Sequence, residues 1–335
     1  MTSKSADIIP FERSTGGGER PGEPAGPAPE QALARALASA NLTEVETYYD
    51  TKERVLWAYQ RHLERPSFTP GLLNDVRRFQ TIVAESCAPY AATDAMPVRY
   101  LVWGSLVDGV FNLGGDLGLF ADAIARRDRD GLAAYAKACI DICYPNAVKL
   151  DLPIITIALC QGDTLGGGFE SALSSDILVA ERRARFGLPE ILFGLFPGMG
   201  AYSFLGRRIG AKAAEKMIFS GKIYTAEELH AMGVVDVLAD DGLGEDAVIQ
   251  HVHSLSNRFA AYRSVYRIRQ RFAPVTYEEL SDIANIWIEA ALTLTESDVK
   301  KMRRLAAAQA RRRNEPAMRL ELRIAAALGA AKKIG

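Results

Sequence analysis

The sequence has few cysteines and few histidines for its length. Its 335 residues include four of each. Cys87, Cys139, Cys143 and Cys160 are too few for a disulfide framework in a chain of this size, which favours a reducing compartment. Cys139 and Cys143 would share one face of a helix, but two soft ligands do not form a zinc site. We therefore interpret the cysteines as small buried residues.

The motifs of nucleophilic and metal-dependent hydrolases are also missing. None of the histidines falls in an H-E-x-x-H or a serine-nucleophile motif, and G-x-S-x-G does not occur. His251 and His253 would alternate between the two faces of a strand, and we interpret them as surface residues rather than metal ligands. The sequence predicts neither a metal site nor a cofactor.

Long apolar runs and an excess of one charge are absent as well. The N-terminus has no apolar stretch typical of a secretory signal, and no segment approaches the length of a membrane span. Lys and Arg total 40 and Asp and Glu total 41, a formal net charge of −1. This balance gives no general attraction to nucleic acid or to an anionic membrane. We expect a soluble, cytoplasmic protein.

Composition divides the chain into three parts. Residues 1–40 form a predicted disordered tail, because the segment up to about residue 30 is rich in Gly, Pro and Glu and cannot bury enough apolar surface to offset its ordering entropy. Glu30–Ala40 is compatible with a helix but is not an obvious part of the core. Residues 41–256 form the predicted core domain. Residues 257–335 form a helical region that serves as a lid or as an oligomer contact.

Apolar strands alternate with amphipathic helices in the core. Continuous apolar strands in this order indicate parallel pairing and an α/β fold. The predicted elements are a hairpin of Glu44–Tyr49 and Val55–Tyr59, a helix over Pro70–Glu85, a strand over Val98–Trp103, a mostly helical Asp116–Ile142, a strand over Ile154–Leu159, and C-terminal helices over Tyr277–Leu294 and Ser297–Arg312.

The densest chemical signal is a glycine cluster between a predicted strand and a predicted helix, at Gln161–Glu170 (QGDTLGGGFE). Glycines leave amide groups unobstructed, and the first amides of a helix lack internal partners, so this turn can bind an anion or an oxyanion. The spacing is not that of a dinucleotide- or phosphate-binding loop. A tight packing turn, with Glu170 as an ordinary helix cap, explains the same residues.

Two further segments have related features. In Phe186–Ile191 (FGLPEI), Pro189 is typical of a first helical turn, which places Glu190 at the start of a helix. Glu190 is then either an ordinary helix cap or a carboxyl whose pKa is raised by the apolar residues that follow, as acid/base catalysis requires. Phe111–Leu117 is a second glycine turn between a strand and a helix. Two such turns on adjacent parallel strands would lie side by side at the edge where α/β sheets bind ligands, each offering one N–H to the same oxygen.

From Glu44 onward the chain resembles the enoyl-CoA hydratase/isomerase (crotonase) superfamily. The matching segments are Gln161–Glu170, FGLPE at Phe186–Glu190, PGMG at Pro197–Gly200, GKIYTAEEL at Gly221–Leu229, MGVVD at Met232–Asp236 and the turn at Phe111–Asp116. The resemblance implies an α/β crotonase (ClpP/crotonase-like) spiral of ββα repeats with a helical C-terminal oligomerisation region, although the sequence shows no internal repeat. It also implies Glu190 as catalytic base, Glu170 as catalytic acid, and the amides of Gly115 and Gly167 as the oxyanion hole.

Within the superfamily the chain is similar to the diffusible signal factor synthases of bacterial quorum sensing. The shared segments are FNLGGDL at Phe111–Leu117, FPGMGAYSF at Phe196–Phe204 and IWIEAAL at Ile286–Leu292. The similarity implies dehydration of a 3-hydroxyacyl group on acyl carrier protein to a cis-2-enoyl group, followed by thioester hydrolysis. The similarity also implies that Met199 and Trp287 lie in the acyl pocket. It implies a homotrimer or a dimer of trimers, and a sensor kinase regulator as a further partner.

Two alternatives stay open. One is an enoyl-CoA hydratase of fatty-acid β-oxidation, which uses the same residues without hydrolysis. The other is a non-catalytic relative that binds or regulates, although both glutamates and both glycine turns are retained.

The carrier is a separate question. Many relatives that bind coenzyme A have a basic residue soon after the aspartate of the first turn, whereas Asp116 is followed by Leu117-Gly118-Leu119. We therefore expect acyl carrier protein rather than acyl-CoA, met by a basic rim. The rim candidates are Arg207, Arg208 and Lys212, which solvated helix charges explain equally well.

Overall fold

The computed structural model describes residues 28–311 and contains a six-stranded and a four-stranded sheet flanked by helices. The strands are β1 (Val45–Asp50), β2 (Val55–Gln60), β3 (Tyr100–Ser105), β4 (Val110–Asn112), β5 (Ile155–Cys160), β6 (Asp163–Leu165), β7 (Ile177–Glu181), β8 (Arg185–Gly187), β9 (Ile223–Thr225) and β10 (Val237–Ala239). The helices are α1 (Pro29–Ser39), α2 (Pro70–Cys87), α3 (Leu117–Ala125), α4 (Arg129–Ala147), α5 (Gly167–Leu173), α6 (Ala201–Ile209), α7 (Ala211–Ser220), α8 (Ala226–Ala231), α9 (Gly244–Ser256), α10 (Phe259–Phe272), α11 (Tyr277–Leu292) and α12 (Glu296–Arg311).

Three ββα units follow one another along the chain. They are β3–β4–α3, β5–β6–α5 and β7–β8–α6, and in each unit the first strand joins the large sheet and the second joins the small one. The first strands pair in parallel with one another, and so do the second strands. The spiral of ββα repeats is therefore confirmed. The units share backbone geometry and not side chains, so the sequence alone does not reveal the repetition.

The large sheet is buried on both faces. Every residue of β2, β3, β5 and β7 is buried, which explains why these strands have continuous apolar sequences instead of alternating ones. Leu56, Leu101 and Trp103 pack on the side of α2, whereas Trp57 and Ile157 pack on the opposite side with α9. The predicted hairpin is confirmed, because β1 and β2 pair antiparallel from Val45 opposite Gln60 to Asp50 opposite Val55.

The first helix corrects the prediction of a disordered tail over residues 1–40. The last eleven residues of that tail, Pro29–Ser39, form α1, which packs against α2. Leu33 is 1% exposed and Leu37 is 8% exposed, so the helix contributes to the core. Their spacing of four residues places both on one helix face, and Pro29 suits the first turn. Residues 1–27 of the predicted tail lie outside the described part of the chain.

The prediction that His251 and His253 lie in a strand is also wrong. Both residues lie on α9, whose buried Val248, Ile249 and Val252 follow helical spacing. The Nε2 atom of His253 lies 3.2 Å from a carboxylate oxygen of Glu53.

The C-terminal region is helical over its described part, which ends at residue 311, and residues 312–335 of the predicted helical region lie outside the described part of the chain. Helices α11 and α12 correspond to the two predicted helices; α11 packs against α4 and α12 against α3. Helix α10 has no buried residue, and its role in oligomerisation stays a prediction. Over residues 28–311, no helix combines the length and the apolar character that crossing a membrane requires.

Candidate active site

All six predicted site residues line one cavity of about 240 Å³. Glu170, Glu190 and the backbone of Gly115 and Gly167 form its polar end, and Met199 and Trp287 belong to its wall. Much of the remaining wall is apolar, and it includes Leu113, Leu117, Phe120, Phe193, Leu195, Leu305 and Ala308. The structure therefore brings together residues from the turn after β4, from α5, from the segment between β8 and α6, and from α11. A cavity of this composition suits a ligand with a hydrocarbon chain and one polar group.

The two glycine turns lie side by side, as predicted, because β4 and β6 are neighbouring parallel strands. Gly114 has a φ of +92°, and a Cβ atom added there would lie 2.9 Å from the amide nitrogen of Gly167. A Cβ atom added at Gly167 would lie 3.5 Å from the amide nitrogen of Gly115. The close approach of the two backbones therefore depends on residues without side chains.

The amides around Gly115 are already occupied. Leu113 N donates to Pro66 O over 2.7 Å, Gly114 N to the Oδ1 atom of Asn112 over 2.7 Å, and Asp116 N to the hydroxyl of Tyr135 over 3.0 Å. In contrast, no residue within 28–311 accepts a hydrogen bond from the amide of Gly115 or of Gly167. These two N–H groups are available to a ligand oxygen, which is the requirement for an oxyanion hole.

Glu170 is buried and does not cap its own helix. Although it lies in the first turn of α5, its Oε1 atom accepts hydrogen bonds from Met199 N over 2.7 Å and from Ala201 N over 2.9 Å, at the start of α6. Burial raises the pKa of Glu170 to about 7, and the hydrogen bonds from these amides counteract part of that rise. The capping interpretation from sequence is thus replaced by an interhelical contact.

Glu190 lies in a short 3₁₀ turn, Pro189–Phe193, with Pro189 at its first position as predicted. Its Oε2 atom is buried and has no hydrogen-bond partner among the described residues. Burial, followed by the negative charge of Glu170, raises the pKa of Glu190 to about 8. The predicted apolar setting is only partly right, because Ile191 and Leu192 are 37% and 59% exposed and do not line the cavity, whereas Phe193 and Leu195 do.

A pair of carboxyls with these properties can share one proton near neutral pH. One member can accept a proton from a ligand while the other donates one. In the free protein the amide bonds favour the anion on Glu170, and the unpaired Oε2 atom favours the proton on Glu190. The roles implied by the resemblance, Glu190 as base and Glu170 as acid, need the opposite distribution of this proton, and they stay predictions.

The raised pKa of Glu190 has a consequence for stability. The folded state holds this proton up to about pH 8, whereas the unfolded chain releases it near 4.5. Folding stability therefore decreases as the pH rises through this window. We expect Glu190→Gln to raise the melting temperature above that of the wild type at about pH 9, with the difference shrinking toward about pH 5.

Glu289→Gln is the matched control for that measurement, because the side chain of Glu289 is 70% exposed. Melting curves of this control should follow those of the wild type at every pH. If the melting temperatures of Glu190→Gln and the wild type differed by the same amount at every pH, the assignment of a raised pKa to Glu190 would be contradicted.

Comparison with known proteins decides the family. The family model described as enoyl-CoA hydratase/isomerase matches residues 90–285, more than half of the chain and a span that contains both glutamates and both glycine turns. The chain belongs to the enoyl-CoA hydratase/isomerase family. The ββα spiral is accordingly a crotonase fold.

Relatives of this hydratase/isomerase family member include the fatty acid oxidation complex subunit alpha of Pseudomonas paraeruginosa. It is 35% identical over 151 residues, which cover 44% of this chain and 21% of the relative. The corresponding subunit of Pseudomonas aeruginosa is similar to the same extent. The chain thus spans about a fifth of the length of these curated relatives.

Solved structures share the fold at low sequence identity. Human mitochondrial delta3-delta2-enoyl-CoA isomerase has a TM-score of 0.65 and 16% identity, covering 81% of this chain and 100% of that one. DspI of Pseudomonas aeruginosa has a TM-score of 0.58 and 22% identity, covering 81% and 98%. An enoyl-CoA hydratase of Mycobacterium avium subsp. paratuberculosis has a TM-score of 0.59 and 19% identity, covering 78% and 98%.

The sequence did not identify several other residues of the cavity. Tyr135 lines it and fixes the first glycine turn, since its hydroxyl donates to Phe68 O over 2.5 Å while accepting from Asp116 N. Gln309 on α12 also lines it. Neither residue lies in a recognisable motif, and only the packing of α4 and α12 brings them to the site. Within 28–311 no cluster of three or more His, Cys, Asp and Glu side chains could hold a metal ion.

The three candidates for a basic rim have partners within the protein, and the rim itself stays a prediction. Arg207 forms an ion pair with Glu279, and Arg208 donates to Ser175 O and to Asp236. Lys212 is exposed and pairs with Glu215. None of these three cations lines the cavity.

Proposed function

We propose that this protein is a 3-hydroxyacyl thioester dehydratase that also hydrolyses its enoyl product, as in a diffusible signal factor synthase. The observation that carries the proposal is the pair of carboxyls with raised pKa facing two available amides inside a largely apolar cavity. Dehydration of a thioester needs a base, an acid and a site for an enolate oxygen, and these groups supply all three.

In the proposed mechanism, the amides of Gly115 and Gly167 bind the thioester carbonyl oxygen. Glu190 removes the α-proton, and the resulting enolate oxygen stays between the two amides. The enolate re-forms the carbonyl as the C3–O bond breaks, and Glu170 gives its proton to the departing hydroxyl, which leaves as water. The product is the cis-2-enoyl thioester.

Hydrolysis then uses the same groups. One glutamate takes a proton from water as that water attacks the thioester carbonyl, and the two amides hold the tetrahedral oxyanion. The carbon–sulfur bond breaks and the thiol leaves with a proton. The products are a free cis-2-unsaturated fatty acid and the carrier thiol.

Acyl carrier protein is the proposed carrier. At the first glycine turn the carboxylate of Asp116 is paired with Arg65, so this cation is already engaged within the protein. Leu305 of α12 lines the cavity and is 39% exposed, so the cavity reaches solvent there. The neighbouring Lys301 and Arg304 are exposed on the same helix. Lys301, which pairs with Asp298, and Arg304 are therefore further candidates, beside Arg207, Arg208 and Lys212, for cations that would meet an acidic carrier.

The test compares the same 3-hydroxyacyl chain on acyl carrier protein and on coenzyme A. We expect higher kcat/KM with the carrier protein, a loss of that preference at high salt, and a free cis-2-enoic acid by mass spectrometry. A higher kcat/KM with coenzyme A, or a product that remains a thioester, would favour an enoyl-CoA hydratase of fatty-acid oxidation. The 35% identity to the fatty acid oxidation subunit supports that second candidate.

The pocket wall gives a prediction about chain length. Trp287 is 6% exposed, contacts Phe120 with ring centroids 4.9 Å apart, and lines the cavity. We expect Trp287→Ala to lower kcat/KM much more for long acyl chains than for short ones, because each buried methylene contributes about 0.8 kcal/mol.

Trp103→Ala is the control for Trp287→Ala. Trp103 is 7% exposed but does not line the cavity, so its loss should affect all chain lengths equally. If Trp287→Ala also reduced activity equally for every chain length, Trp287 would be a core residue and not part of the acyl pocket.

A further inference from the structure

Gln309 is a buried polar residue of the active-site cavity that the mechanism above does not use. It lies on α12, it is 8% exposed, and it lines the cavity together with Glu170 and Glu190. Leu305 and Ala308 line the cavity from the same face of α12. The C-terminal helix therefore contributes an apolar wall with a single amide in it.

The orientation of this amide follows from chemistry. Its Nε2 atom donates to the backbone oxygen of Leu113 over 2.8 Å. A carbonyl oxygen can only accept, so the NH₂ group must face Leu113 and the Oε1 atom must face the other way. This Oε1 atom is buried, and no described residue donates a hydrogen bond to it.

The contact with Leu113 places Gln309 beside the oxyanion hole. Leu113 lines the cavity and directly precedes Gly114 and Gly115, which form the first oxyanion turn. A carbonyl acceptor therefore lies next to the turn that holds the thioester oxygen. A buried acceptor without a partner is unfavourable, and a ligand donor that reaches it gains a hydrogen bond.

We infer that the Oε1 atom of Gln309 accepts a hydrogen bond from a neutral O–H or N–H group of the substrate, located a few bonds from the thioester carbonyl. This inference rests on the proposed function. A 3-hydroxyacyl carrier thioester has two such donors, the C3 hydroxyl and the amide N–H of the phosphopantetheine arm. Gln309 is thus a specificity residue, which selects thioesters that carry this donor.

An internal control exists for the cost of losing such a glutamine. Gln80 on α2 is 4% exposed, its Nε2 atom donates to Ile142 O over 2.9 Å, and its Oε1 atom is also buried without a described partner. Gln80 does not line the cavity. Gln80→Leu and Gln309→Leu therefore remove the same kinds of contact from the folded protein, and only Gln309→Leu changes a residue that lines the cavity.

The experiment measures kcat/KM of the wild type, Gln80→Leu and Gln309→Leu on three thioesters. These are a 3-hydroxyacyl N-acetylcysteamine thioester, its 2-enoyl counterpart assayed for hydrolysis, and a 3-hydroxyacyl thioester of a simple alkanethiol without an amide. We expect similar melting temperatures for the two variants. We expect a loss of roughly tenfold or more for Gln309→Leu alone on the first thioester.

The other two thioesters identify the donor. If the partner is the hydroxyl, the loss disappears on the 2-enoyl thioester; if the partner is the amide, it disappears on the alkanethiol thioester. An equal loss on all three, or activity equal to that of Gln80→Leu, would overturn the inference. A wild type that turns over none of them would instead overturn the proposed function, because Gln309 affects selectivity only when the chemistry proceeds.

Discussion

Glu170→Gln and Glu190→Gln should each lower the rate of dehydration by roughly 10²–10⁴-fold, the range that a positioned general acid or base contributes. Each substitution keeps the size of the side chain and removes its ability to exchange a proton at neutral pH. Glu170→Gln also keeps an oxygen that can accept from Met199 N and Ala201 N, so the contact with α6 can persist. The measurement is single-turnover dehydration, with circular dichroism to verify the fold.

Exchange of the α-proton with solvent separates the two roles. With Glu190 as base, Glu170→Gln should still exchange the α-proton of a saturated acyl thioester, and Glu190→Gln should not. The reverse pattern would assign the base to Glu170, as the proton distribution in the free protein suggests. Near-normal turnover by either variant with an unchanged fold would remove that glutamate from the mechanism.

Gly114→Ala should reduce kcat by about 10²–10³-fold, the cost of one lost oxyanion donor. The added Cβ atom would lie 2.9 Å from both Gly167 N and Leu165 O, and a φ of +92° disfavours any side chain there. The two turns must therefore separate, and their N–H groups can no longer reach one oxygen.

Gly118→Ala is the control for this substitution. It lies in the first turn of α3, and its added Cβ atom would be 3.4 Å from a carboxylate oxygen of Asp116 with no other neighbour within 4 Å. Its kcat should stay close to that of the wild type. A kcat for Gly114→Ala that matches this control, in a protein that melts at the same temperature, would contradict the oxyanion assignment.

The fold and the polar end of the site were predictable because local sequence determines them. Apolar strands followed by glycine turns fix where backbone amides emerge, and Pro189 fixes the start of the turn that holds Glu190. The resemblance then identified which carboxyls and amides belong together. All six predicted site residues line one cavity, and their catalytic roles stay predictions.

The missed features depend on contacts between distant segments. Leu33 and Leu37 of α1 are buried only because α2 lies against them, and composition alone made this segment look like part of a tail. Gln309 reaches Leu113 across a sequence separation of 196 residues. Arg207 and Arg208 find partners in distant segments, Glu279 for Arg207 and the backbone oxygen of Ser175 for Arg208. No local pattern encodes such pairings.

The division of the site among the three ββα units has a consequence for folding. Gly115 comes from the first unit, Gly167 and Glu170 from the second, and Glu190 with the amides that bind Glu170 from the third. No single unit contains an acid, a base and an oxyanion hole. Activity should therefore return late during refolding, after secondary structure has formed, because docking of the last unit completes the catalytic centre.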